Sequence, residues 1–248
     1  MPIHISGTGS FIPKNKVDNN SFSDKFFFDK DGNQYPNSND EIIEKFQTIT
    51  GIKERRYANK EHKTSDLATF AARNAIKDAG IDKETIDYII VAHNFGDIEY
   101  GTNQYIALPS VATMVKHKLN ILNENCVAYD IIFGCPGWIE GVIQASAFIK
   151  SKMAKRCLVI GADTLSRTID ESDRDSMIFA DGAGATIIEE NLEPGGILSH
   201  KTITKAGKEA LYLFCETSYN PKNTKSVKHI KMNGRKVYEF AISTIPAA

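Results

Sequence analysis

Apolar residues recur at helical spacing in DEIIEKFQTI, residues 40–49, where Ile42, Ile43, Phe46 and Ile49 share one face and Gly51 follows as a stop. SDLATFAARNAIKDAG, 65–80, repeats the pattern more strongly. Ser65 is its expected N-cap, Leu67, Ala71, Ala75 and Ala79 form the inward face, and Gly80 ends it. IDYIIVAH, 86–93, is a β-branched run and predicts a buried strand. LPSVATMVKHKL then predicts a helix capped by Ser110, NCVAYDII a strand, PGWIEGVIQASAFIKSK a helix and KRCLVIGA a strand. SMIFADGAGATIIEE and GGILSHKTIT predict two further strands joined around Pro194 and Gly195. At the start, PIHISGTGSFIP predicts a short strand running into a Gly-rich turn.

Strand and helix alternate and then close on strands, which predicts an α/β layer structure with a mostly parallel central sheet. Residues 205–231 are irregular and rich in Lys, Asn and Ser, and MNGRKVYEFAISTI then opens an amphipathic helix. A pattern that stops as a helix begins gives the expectation of a chain cut from a longer one.

The 248 residues are 42% hydrophobic and 25% charged, enough apolar material for a full core. The formal net charge of −1, with Lys and Arg spread along the chain, carries no signature of nucleic-acid or membrane binding. No apolar run reaches the roughly 18 residues of a spanning helix. The start, MPIHISGTGSFIP, does not read as a secretory signal. Cys126, Cys135, Cys157 and Cys215 have no CxxC spacing, so free thiols in a cytoplasmic protein are expected, with no metal site and no cofactor.

One cysteine stands apart. In IIFGCPGWIEGV, residues 131–142, Cys135 lies between a predicted buried strand and a predicted helix. Pro136 suits a first helical turn, and Gly134 and Gly137 allow a tight bend and close approach of a ligand. A helix N-terminus carries roughly half a positive charge, which favours thiolate over thiol, and its free N–H groups can hold an oxyanion. A strand-to-helix corner is also a known place for a nucleophile. The alternative is a cysteine acting as a small buried hydrophobe, the reading given to Cys126 and Cys157.

Several segments resemble, in order, β-ketoacyl-acyl-carrier-protein synthase III of the thiolase superfamily. They are GTGSFIP, TGIKERRYA at 50–58, YDIIFGCPGWIEG, GADTLSRTIDESDRDSMIFADGAGA at 161–185 and MNGRKVYEFA at 232–241. The resemblance implies a thiolase-like layered α/β fold. Residues 1–205 would be its N-terminal half, and 206–248 the connection and opening helix of the second half. It implies an acyltransferase of fatty-acid biosynthesis in which Cys135 takes an acyl group from acyl-CoA or acyl-carrier protein. Malonyl-carrier protein then loses carbon dioxide and extends that acyl group to a 3-oxoacyl chain. It implies a homodimer, and it places Arg167 where an arginine stacks on the CoA adenine.

The departures from the family pattern are specific. The tryptophan expected before TGI, around Lys45, is missing, and Ile49 replaces an arginine. Delivery by a carrier protein is therefore expected over CoA. Neither an HQAN-like nor an HGN-like motif, the family's decarboxylating histidine and asparagine, occurs in the sequence. None of the histidines present is a good substitute; His93, ending a predicted strand, could line a pocket, but a surface or core role is the expected one. Two other functions stay open: a non-catalytic partner with this fold, and acyl transfer through Cys135 without condensation.

Overall fold

The computed structural model describes residues 2–192 and 194–247. Along the chain run β1 (Ile3–Phe11), β2 (Asn15–Asp18), α1 (Asn39–Thr50), β3 (Glu54–Tyr57) and α2 (Thr64–Ala79). There follow β4 (Tyr88–His93), β5 (Asp97–Ile98), β6 (Tyr105–Ile106), α3 (Val111–Leu119), β7 (Val127–Ile132) and α4 (Gly137–Lys150). The remainder is β8 (Arg156–Thr164), β9 (Asp181–Glu190), β10 (Leu213–Glu216), β11 (His229–Met232) and α5 (Gly234–Thr244). The residues gather into two compact units, one of 1–14, 57–164 and 181–200, the other of 15–56, 165–180 and 201–248.

The first unit is built on a five-stranded sheet in the order β1-β9-β8-β4-β7. β4 pairs in parallel with both β7 and β8, whereas β9 is antiparallel to both β8 and β1. The sheet is therefore evenly mixed, not mostly parallel. Helical crossovers produce the parallel pairs; β8 and β9 are joined by a segment whose only helices are short 3₁₀ turns, and a returning strand pairs antiparallel. Successive residues of β4 and β8 point to opposite faces, giving two cores. Ile89, Val91, Leu158 and Ile160 pack with α2 and α3 residues, and Ile90, Cys157 and Val159 pack with Val142, Ala145 and Ile149 of α4.

The segment expected as a short strand and turn is one nine-residue strand, β1. Its glycines serve packing. A Cβ on Gly9 would stand 2.2 Å from the carbonyl oxygen of Ala71, and one on Gly7 2.5 Å from that of Ala75, so α2 rests directly on the strand backbone. The same helix corrects the expected cap. Lys63, not Ser65, holds the N-cap position, and the Ser65 hydroxyl instead donates to Asp97 at 2.7 Å. GGILSHKTIT forms no strand. Gly195 and Gly196 take φ of +110° and +91°, which turns the chain, and the Ile197 N–H goes to the Ile3 carbonyl. Leu198 is left 88% exposed.

In the second unit, α1 opens with a capping box between Ser38 and Glu41 and packs Ile42 and Ile43 against Phe22, Phe27 and Met177. The stretch 205–231 contributes the hairpin β10–β11, absent from the sequence reading. β11 carries Lys231, fully buried, its ammonium bonded to Asp170, 3.3 Å from Asp173 and 3.4 Å from the Tyr219 ring centroid.

Candidate active site

The C-terminal ends of β8, β4 and β7 lie side by side, the end of an open α/β sheet where ligands are commonly bound. The chain leaves β7 through Phe133 and Gly134 and enters α4 at Gly137. Gly134 has φ of +64°, a value that favours glycine, and the Gly137 N–H closes the turn onto the Gly134 carbonyl at 3.0 Å. Cys135 stands on this corner and is exposed. Pro136 occupies the N-cap of α4 and offers no side-chain acceptor, so no side chain caps the helix beside the thiol. Glu140, in the first turn, is a competing negative charge at that end.

Two carboxylates organise the residues next to this corner. Asp130, on β7, accepts from the Val111 and Ala112 N–H groups that open α3, at 2.8 and 2.7 Å, and meets His93 Nε2 at 2.9 Å. The Gly96 N–H donates to His93 Nδ1 at 2.9 Å. Nδ1 must then be the acceptor, so Nε2 carries the hydrogen and donates it to Asp130. Both nitrogens are used and the ring is buried, so His93 has a core role and no free basic nitrogen. Asp163, on β8, accepts from the Asn94 N–H at 3.0 Å and from Asn94 Nδ2 at 2.6 Å. Burial pushes the Asp163 carboxyl upward against those bonds. Sequence reasoning assigned no role to Asn94, Asp130 or Asp163. The available signal was position: Asn94 and Asp163 directly follow predicted strands, and Asp130 lies two residues from the end of one.

Arg167 lies in the second unit, closing a 3₁₀ turn at Leu165–Arg167, and is 8% exposed. The following segment is tied to β11: the Ile230 N–H donates to the Thr168 carbonyl at 2.9 Å, and His229 Nδ1 meets the Ile169 carbonyl at 2.9 Å. In the basic stretch IKSKMAKR, Lys152 pairs with Glu190 and Arg156 with Glu189, which neutralises half of its four cations.

The other thiols differ from Cys135. Cys126 and Cys157 are buried in the sheet cores, which pushes them up to about 11 and about 12. Cys215, on β10, is exposed, but desolvation of its sulfur raises it against the pull of Lys228. Limiting iodoacetamide followed by peptide mass spectrometry is therefore expected to label Cys135 first and Cys215 second, with Cys126 and Cys157 unmodified until the protein unfolds. Early label on Cys126 or Cys157 would contradict the packing described. Among the described residues no group of three or more His, Cys, Asp or Glu is placed to hold a metal, and no helix is long and apolar enough to cross a membrane.

Residues 129–206, which include Cys135 and Arg167, match the family model for 3-oxoacyl-[acyl-carrier-protein] synthase III. A β-ketoacyl-[acyl-carrier-protein] synthase III of Neisseria meningitidis is 38% identical over 242 residues, 97% of this chain and 68% of the relative. One from Staphylococcus epidermidis is 37% identical over 244 residues, 98% of this chain and 67% of the relative. Among solved structures, the 3-oxoacyl-[acyl-carrier-protein] synthase III of Aquifex aeolicus superposes with a TM-score of 0.75 at 30% identity, over 96% of this chain and 66% of that one.

Proposed function

The chain belongs to the β-ketoacyl-acyl-carrier-protein synthase III family of condensing acyltransferases, and on that premise we propose that Cys135 is its acyl-accepting nucleophile. The carrying observation is the exposed Cys135 on the corner between β7 and α4, inside the matched segment. Its sulfur attacks a thioester carbonyl, the carrier thiol leaves with the proton, and an acyl-cysteine remains. Malonyl-carrier protein then loses carbon dioxide. The carbanion attacks the acyl-cysteine, returning the thiolate and releasing a 3-oxoacyl chain two carbons longer.

Residues 1–205 hold the nucleophile half of this fold and 206–248 the connection towards a second half. Acyl-carrier protein is the proposed partner and donor, because the tryptophan and arginine before Gly51 that would serve CoA are replaced. Arg167 is kept as the candidate contact for a CoA or phosphopantetheine donor. A homodimer in the cytoplasm fits two features. β7 is an edge strand carrying exposed Val127 and Ile132, a template for pairing with a second copy, and all four cysteines are free thiols.

A second reading, acyl transfer without condensation, is favoured by one observation. His93, the histidine at the strand ends, has both ring nitrogens engaged and offers no catalytic base. The experiment loads the protein with an acyl-CoA or the matching acyl-carrier protein and follows the adduct by intact mass, then adds malonyl-carrier protein. The carrier-bound donor is expected to acylate Cys135 faster. Faster loading from CoA reverses the donor assignment, and no adduct from either removes the nucleophile. A 3-oxoacyl product selects condensation, and release to water alone selects the second reading.

A further inference from the structure

Behind the Cys135 corner runs a chain of polar contacts that the proposed reaction leaves without a role. Asp163, at the end of β8, receives both the backbone N–H and the side-chain Nδ2 of Asn94. The Asn94 Nδ2 donates to Asp163 Oδ2, which leaves the amide Oδ1 on its other side. Gly134 lies there. A Cβ added to Gly134 would stand 3.3 Å from Asn94 Oδ1, so the amide oxygen borders the space into which a side chain at this turn would project. Gly134 also holds φ of +64°. Asn94 itself directly follows His93, whose ring is fixed by Asp130 and the Gly96 N–H. The amide therefore has little freedom to retreat.

We propose that Asn94 is a positioning residue for Cys135: anchored by Asp163, its side chain is the floor on which the Gly134–Cys135 turn rests, and it sets where Sγ stands relative to the incoming thioester. This rests on Cys135 being the acyl acceptor. The lever is short, since Sγ is attached one residue beyond the glycine that faces Oδ1. Nucleophilic attack on a carbonyl needs the sulfur on a defined line, and a displacement on the order of 1 Å costs about 10²-fold. Alkylation by a small untethered reagent has no such requirement.

The test compares wild type, Asn94→Ala, Gly134→Ala and the double variant. For each, the first-order acylation rate at saturating donor, the half-saturating concentration and the iodoacetamide alkylation rate of Cys135 are measured, using the acyl-carrier protein or acyl-CoA that loads wild type. Asn94→Ala is expected to lower the saturated acylation rate about 10- to 100-fold. The half-saturating concentration and the alkylation rate should stay within about threefold, roughly the scatter seen between independent sites. Gly134→Ala places a Cβ against Oδ1 and strains a φ of +64°, so it should lower acylation at least as far, and the double variant, which takes Oδ1 away from that Cβ, should lose less than the product of the two single losses. Should Asn94→Ala fail to fold, Asn94→Ser retains a hydroxyl that can donate to Asp163 but is too short to support Gly134, and the same rate split is expected.

Unchanged acylation in a folded Asn94→Ala overturns the proposal. So does a parallel fall in alkylation, which marks general disorder of the corner, and so do additive effects in the double variant. A wild-type protein that accepts no acyl group at all refutes the nucleophile assignment instead, an outcome separable from these.

Discussion

Cys135→Ala is expected to leave the protein folded and to remove acyl loading, with a fall in thioester turnover of roughly 10⁴–10⁶-fold, the usual scale for deleting a nucleophile. The two halves of that expectation have separate causes. Cys135 is exposed and contributes nothing to either sheet core, so the unfolding midpoint should stay within about 0.5 kcal/mol of wild type, as for other surface changes. Every remaining thiol is either buried or held in a less ionised state by desolvation, so none is placed to take over. Intact mass after incubation with the acyl donor reads the first half and thermal or urea unfolding the second. An acyl adduct that persists in Cys135→Ala, mapped to Cys215, would move the nucleophile to the hairpin of the second unit.

Lys231→Met is the change expected to cost most in stability. The Lys231 ammonium is 0% exposed and serves Asp170, Asp173 and the Tyr219 ring together. Methionine fills much of the volume but leaves two carboxylates buried without their cation, a loss of about 3–5 kcal/mol. The pH dependence separates this account from simple misfit. Burial raises the Asp170 carboxyl, but the Lys231 bond and the Tyr219 and Ser172 N–H groups outweigh it, so its folded pKa is depressed. A depressed carboxylate stabilises fully above its unfolded pKa and loses that stabilisation as pH falls through the folded value. Burial already raises Asp173 against the pull of Lys231, and with the ammonium gone both carboxyls move upward, Asp170 keeping only its remaining hydrogen bonds against burial. A folded pKa moved upward shifts stability towards lower pH, so the variant loses less than wild type as pH falls. The gap to wild type in urea midpoint should therefore be widest near neutrality and shrink towards pH 4. A gap under about 1 kcal/mol, or one that ignores pH, would mean that the pair contributes little beyond packing.

What could be read from the sequence and what could not divides by the distance of the causes. β4, β7 and β8 are mostly apolar and β-branched and the helices between them have the expected apolar faces, so their alternation was legible and the Ser110 cap and Gly80 stop fell where expected, while the two-residue strands β5 and β6 left no mark in the pattern. The glycines of β1 were misread as a turn because the reason for them is the backbone of α2, more than sixty residues further on. Ser65 has the chemistry of a cap, but its hydroxyl is claimed by Asp97, 32 residues away. Ile197 and Leu198 look like strand residues, yet among the described residues they form no strand, and a single bond from the Ile197 N–H to the Ile3 carbonyl is their link to β1.

The site follows the same rule. The place of Cys135 on a strand-to-helix corner was legible because strand end, glycines, proline and helix start are adjacent in sequence. The state of His93 depends on Asp130, 37 residues on, and Asn94 depends on Asp163, 69 residues on. Neither pairing leaves a local mark.

The placement of β1 beside β9 bears on how this chain is made. Ile3 pairs with Glu190, so β1 leaves the ribosome well before β9, the strand it pairs with among the described residues, exists. At typical synthesis rates of about 5–20 residues per second, that wait is on the order of ten seconds or more. During it, α2 is the earliest element that can cover the strand, and its seat on Gly7 and Gly9 is available as soon as residue 79 has emerged. The close helix–strand contact thus supplies a temporary shelter for a nascent strand, and the long-range pairing that completes the sheet belongs to the slow, late part of folding.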